Sequence, residues 1–191
     1  CIFVILSVLK CKNEFSILLY ENLNSHTRKM FSVHFMGGEV FSDFVPDSCF
    51  EDYRYLADEL DTWSKENNYD VEICFTTNFV YEKTHRLQKL LDDCPQVKLL
   101  TSYDPSGRFG LGQLNLFKKN VIMFEKYIKS ANVIMTKPNI DKFLKGNTPF
   151  FDYLYERYDT IKKRIPLEIK LIKIKIKILK PIKPLAIVKT L

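Results

Sequence analysis

Gly37-Gly38-Glu39 follows the apolar stretch Phe31-Ser32-Val33-His34-Phe35-Met36 and precedes the turn-rich Ser42-Asp43-Phe44-Val45-Pro46. Glycines let backbone come close to a small polar ligand, an approach that a side chain would obstruct, and the Glu39 carboxylate can meet an ammonium group. Gly-Gly followed by Glu is also an ordinary turn with a solvated acid, so its weight depends on what the chain sets beside it. Three further apolar stretches run into polar residues: Thr76-Thr77-Asn78, Ser102-Tyr103-Asp104 and Thr136-Lys137. If these stretches are parallel strands, their polar ends share one rim, where ligands of such sheets bind.

The elements that would hold those ends follow from periodicity. From residue 31 onward strand and helix patterns alternate, the signature of βαβ units and a parallel sheet. Strands are predicted over 31–36, 70–76, 96–102 and 132–136, with a first strand over 2–9. A helix over 51–67 carries Tyr53, Leu56, Leu60 and Trp63 at spacings of three and four. A second, over 82–93, has Leu87, Leu90 and Leu91 on one face and is closed by Pro95. A third is predicted over 113–130, with Leu114, Phe117, Val121, Phe124 and Ile128 as its inner stripe. Shorter helices follow near 139–144 and 149–163. The predicted fold is α/β, a parallel-stranded partial (β/α) barrel. Its organisation is a degenerate or truncated first βα unit over 1–30, a core over 31–162 and a Lys/Ile-rich tail over 163–191.

Composition narrows the function. The chain has 191 residues, 46% of them hydrophobic, enough for one domain with a real core. The net charge of +6 is a poor average, because residues 161–191 hold 10 basic residues and one acid, leaving 19 basic and 22 acidic residues in the body. The body therefore lacks a nucleic-acid footprint. Cysteines stand at 1, 11, 49, 74 and 94 without a CxxC pair, which reads as free thiols in the cytoplasm. Residues 1–9 are too short to span a bilayer and lack a basic flank, so a strand is expected there and not a signal peptide. The chain opens on Cys1, which leaves room for a natural amino terminus upstream. A nucleophile elbow, a P-loop and HExxH are all absent from the sequence, and Gly107-Arg108-Phe109-Gly110-Leu111-Gly112 has the wrong order for a dinucleotide fingerprint. His26, His34 and His85 are scattered and read as structural or solvated.

The series of strand ends resembles the core of the radical S-adenosylmethionine enzymes. In that family a second strand ends in Gly-Gly-Glu, which helps hold the methionyl amino group of the cofactor, and Gly37, Gly38 and Glu39 match it. A third strand often ends in Thr-Asn-Gly, matched by Thr77-Asn78 but not by Phe79. A fourth often ends in Ser-x-Asp-Gly near the cofactor ribose and carboxylate, matched by Ser102 and Asp104 with Pro105 in place of glycine. A basic residue after this strand commonly meets the cofactor carboxylate, and Arg108 is the nearest candidate. The resemblance covers about residues 31–160 and implies S-adenosylmethionine as cofactor and partner.

The chain departs from the family at the metal. Members carry Cys-x3-Cys-x2-Cys after the first strand, three thiolates that hold a [4Fe–4S] cluster from one short loop. Cys11 falls near that place and is the one candidate ligand, but Lys12-Asn13-Glu14-Phe15-Ser16-Ile17-Leu18 adds no second cysteine. The expectation is a chain that holds no stable cluster.

The tail strictly alternates isoleucine and lysine from Ile172 to Ile178. Three readings fit: an edge strand guarded by lysines, a surface for an acidic partner, or low-complexity sequence not native to the domain. The functional expectation is a protein of the radical S-adenosylmethionine type, here a fragment or cluster-less derivative. In that family the cofactor is reductively cleaved to a 5′-deoxyadenosyl radical that acts on a substrate. The alternative is a non-catalytic α/β scaffold that binds a nucleoside-like ligand or a partner. Whether the chain is an enzyme, and on what substrate, is left open at this point.

Overall fold

The structure is a computed structural model that describes residues 3–6, 30–110, 112–159, 161 and 162. Cys11, most of the first thirty residues and the tail from 163 lie outside the described residues. The chain divides into two compact units, Cys1–Ile134 and Met135–Leu191, a division that falls inside the single 31–162 core expected from sequence.

In the first unit, β1 (Phe3–Leu6), β2 (Met30–Phe35), β3 (Asp70–Thr77), β4 (Val97–Tyr103) and β5 (Ile128–Val133) form one sheet in the order β1-β2-β3-β4-β5. Every pairing is parallel. Helices α1 (Asp47–Glu66), α2 (Thr84–Asp93) and α3 (Gln113–Met123) provide the crossovers that parallel neighbours require. The expected α/β class and all-parallel sheet are present, and the sheet is open. Among the described residues no helix is long and apolar enough to cross a membrane.

The two faces of the sheet differ. Along β4, Val97, Leu99, Thr101 and Tyr103 are buried while Lys98, Leu100 and Ser102 are half-buried, the period of two that a strand dictates. The buried face continues through Phe31, Val33 and Phe35 of β2 and Ile73 and Phe75 of β3. Phe35 stacks on Phe75 with centroids 4.2 Å apart, and Tyr53 of α1 meets both edge-on. Phe117 of α3 packs on Tyr103 of the same face. Each such side chain contributes roughly 1.5–3 kcal/mol when removed from water. A strand order that never reverses, joined by right-handed crossovers, sends all three helices to one side. The other face is polar, although parallel sheets are ordinarily apolar on both sides. It carries Ser32, His34, Glu72, Cys74, Thr76, Lys98 and Ser102, with Leu100 between the last two. There Lys129 pairs with the Glu72 carboxylate, which also accepts the Ser32 hydroxyl at 3.1 Å.

Three expectations are corrected. The helix predicted over 113–130 stops at Met123, and Glu125–Tyr127 form a 3-10 turn. Ile128 then joins the ladder opposite Leu99, so the last strand is Ile128–Val133 and not 132–136. Sheet pairing overrides a helical spacing that Ile128 happens to continue. Cys49 sits in the first turn of α1, which begins at Asp47 behind Pro46. The pair Thr136-Lys137, expected at a strand end, leads into α4 (Lys137–Leu144) of the second unit, where Lys137 pairs with Asp141 at 2.8 Å. That unit also contains α5 (Phe151–Arg157), and Phe143 of α4 meets Phe151 edge-on at 4.9 Å.

Candidate functional site

Because the strands of the first unit are parallel, the ends of β2, β3 and β4 come to one rim. Beyond Phe35 the chain exposes Met36, Gly37 and Gly38 and then turns Glu39 back toward β3. Glu39 Oε1 accepts the Thr77 hydroxyl at 2.8 Å and the Phe41 N–H at 3.2 Å, and Oε2 accepts the Asn78 N–H. A carboxylate offers about four lone-pair sites, so the three bonds leave one for a further donor. Burial raises the pKa of Glu39 above the ordinary value, although these three donors and the charge of Arg108 oppose the rise.

Neither glycine has a left-handed φ, and among the described residues a Cβ on either would meet no atom within 4 Å beyond its own chain neighbours. Gly107 contrasts with them, since a Cβ there would lie 2.6 Å from Asp104 Oδ2.

Asn78 uses its side chain locally, Oδ1 accepting the Val80 N–H at 2.7 Å. The next residue, Phe79, is fully buried yet takes φ 56, in the left-handed region. For a residue with a Cβ that conformation costs roughly 1–2 kcal/mol, and it persists only where its surroundings over-determine it. Here the Phe79 N–H donates to Thr77 Oγ1 at 3.1 Å, and its carbonyl accepts Asn120 Nδ2 of α3 at 3.0 Å.

At the end of β4, Arg108 Nη1 donates to the Ser102 hydroxyl at 2.7 Å and to the Ser102 carbonyl at 3.1 Å. Asp104 folds the intervening loop: its Oδ1 accepts the Gly107 N–H at 2.9 Å and its carbonyl accepts the Arg108 N–H at 3.3 Å. The structure thus brings Glu39, Asn78, Ser102 and Arg108 to the rim beside Gly37 and Gly38, and gives the Asp104 carboxylate a bond within its own loop.

A second layer holds the loops. Asp43 accepts the N–H groups of Glu82 and Lys83 at 2.9 and 2.8 Å. Burial acts to raise its pKa, but those two N–H groups and the charges of Lys83 and Arg86 outweigh it and hold the pKa low. Buried Arg86 donates to the carbonyls of Ser42 and Val45 and pairs with Asp47 at 3.0 Å. Thr77 as a partner of Glu39, Asp43, Arg86 and Asn120 were all missed in the sequence. The readable signal for Asn120 was an amide one residue from Val121 in an otherwise apolar stripe.

The described cysteines do not fit an iron–sulfur cluster. The sequence has no three-cysteine loop. Cys74 is buried in β3, and burial with the charge of Glu72 pushes its thiol to about 11. Burial and Asp58 push Cys94 to about 12, so both thiols stay protonated at neutral pH. Among the described residues no three His, Cys, Asp or Glu side chains could hold a metal ion. What the rim offers is chemistry for a zwitterion: an anion for an ammonium group and a cation for a carboxylate. Comparisons with protein-family models, curated proteins and solved structures give no match.

Proposed function

We propose that the strand-end rim of the first unit binds S-adenosylmethionine, or a closely similar amino-acid nucleoside, on a sheet that is an arc of a partial (β/α) barrel. The observation that carries this reading is the pair Gly37-Gly38. Among the described residues nothing requires glycine at either position, and both stand beside a carboxylate held in place by three donors. Close approach of a ligand to backbone supplies the missing reason. Glu39 takes the ammonium group, Arg108 the carboxylate, and Ser102 and Asp104 lie toward the ribose. The left-handed φ of Phe79 supports the likeness to radical S-adenosylmethionine enzymes, since it occurs where their Thr-Asn-Gly motif has the residue that adopts it freely. The strand order and the polar second face support the barrel.

The described cysteines do not fit the cluster, and no reductive cleavage is assigned to this chain. Binding is therefore weak and the role is that of a cluster-less derivative in a cytoplasmic, reducing setting. A second reading, a scaffold without this ligand, is favoured by one observation: the internal bonds of Glu39 give its carboxylate a purpose of their own.

Calorimetric titration with S-adenosylmethionine separates the two. The charge-assisted contact of Glu39 is worth roughly 1.5–3 kcal/mol, so Glu39→Gln weakens binding about tenfold or more. No heat at millimolar cofactor, or equal affinity in both proteins, leaves the scaffold reading standing.

A further inference from the structure

Asn120 is wholly buried on α3, yet its Oδ1 has no hydrogen-bond partner among the described residues. An amide oxygen left unpaired in an apolar stripe is costly, so the side chain must be retained for something its other atoms do. The amide nitrogen accounts for its presence. Nδ2 donates to the Phe79 carbonyl at 3.0 Å and to the Tyr81 carbonyl at 2.8 Å, two groups separated by a single residue of the β3–α2 connection.

Those carbonyls lie directly after the bend that serves Glu39. Phe79 holds a φ that a phenylalanine leaves when it is free to. While it is held, its N–H meets Thr77 Oγ1, which turns the hydroxyl proton to Glu39, and the preceding N–H, of Asn78, points at the other carboxylate oxygen. Relaxation of Phe79 to negative φ rotates the Asn78–Phe79 peptide and breaks this alignment. We infer that Asn120 is a positioning residue of the rim: its two amide protons, bound to the Phe79 and Tyr81 carbonyls, hold the connection in the arrangement that aims Thr77 and Asn78 at Glu39. Its consequence for ligand binding rests on the function proposed above, whereas its consequence for Glu39 does not.

The test uses the full chain labelled with δ-13C glutamate, with the Glu39 resonance assigned from Glu39→Gln. In Asn120→Leu the donors that hold the Glu39 pKa down are misaligned, so its titration midpoint moves up by about half a pH unit or more. The affinity for S-adenosylmethionine falls about fivefold or more by the same loss. A general loosening of the core would lower thermal stability without raising that midpoint. An unchanged midpoint in folded Asn120→Leu overturns the inference, even if the cofactor binds. If the wild type binds no cofactor but the midpoint moves, the ligand reading fails and the positioning role stands. Should Asn120→Leu fail to fold, exchange of the Asn120 side-chain amide protons in the wild type decides: survival for hours supports the clamp, and loss within minutes overturns it.

Discussion

The hydroxyl of Thr77 donates to Glu39 Oε1 at 2.8 Å, joining residues 38 positions apart and tying the end of β2 to the end of β3. It converts a glycine-rich turn into a placed carboxylate. Thr77→Val keeps the shape and removes the donor, leaving a sheltered carboxylate short of one bond. The expected loss is about 1–3 kcal/mol, read from urea unfolding, with a further upward shift of the Glu39 midpoint by NMR. Unchanged stability and midpoint would show that the bond is idle.

The pH dependence follows from two groups of opposite sign. Glu39 has its folded pKa raised above the ordinary value of 4.5. Between those two values the folded state binds the extra proton, so this contribution to stability falls as pH rises through the window. Glu39→Gln removes that slope from stability curves measured between acid and neutral pH.

His34 acts the other way. Burial lowers its pKa below the ordinary 6.5, with Lys129 adding to the fall and Glu72 opposing it. Its contribution is complete above 6.5 and is lost as pH falls through the lowered folded value. The stability of wild type is therefore expected to fall relative to that of His34→Gln as pH drops from 6.5 through that lowered value, and parallel curves would remove His34 from the account.

At Phe79 the usual ranking of alanine over glycine is reversed. Either substitution empties a buried phenyl site and costs about 3–5 kcal/mol. Glycine also releases the left-handed backbone, recovering roughly 1–2 kcal/mol that alanine does not. Phe79→Gly is expected to be more stable than Phe79→Ala by about 1 kcal/mol, and the reverse order in denaturant melts would show that the φ of 56 carries no strain.

How much of this was legible in the sequence depends on the range of the interaction. The alternation of strand and helix signals led correctly to an all-parallel sheet with Glu39, Asn78 and Ser102 on one rim, because hydrophobic periods are local. Ile128 misled, since it continues the spacing of Phe117, Val121 and Phe124 although the chain has left the helix by Met123. Only the ladder opposite Leu99 decides its state. The contacts of Glu39 with Thr77, of Asp43 with Lys83 and of Asn120 with Phe79 each span about forty residues, beyond the reach of any window. Asp104 was read for its chemistry, while its carboxylate bonds the Gly107 N–H within its own loop.

The central claim is that Gly37 and Gly38 are glycine because of a ligand, and titration of Gly37→Val and Gly38→Val with S-adenosylmethionine tests it most directly. A Cβ at either position meets nothing among the described residues, so both variants are expected to melt at the wild-type temperature or slightly above it. Wild type is expected to bind at millimolar cofactor and both variants to lose detectable binding. Valine variants that bind as wild type does, or a wild type that gives no heat, would contradict the assignment of the rim as the ligand site.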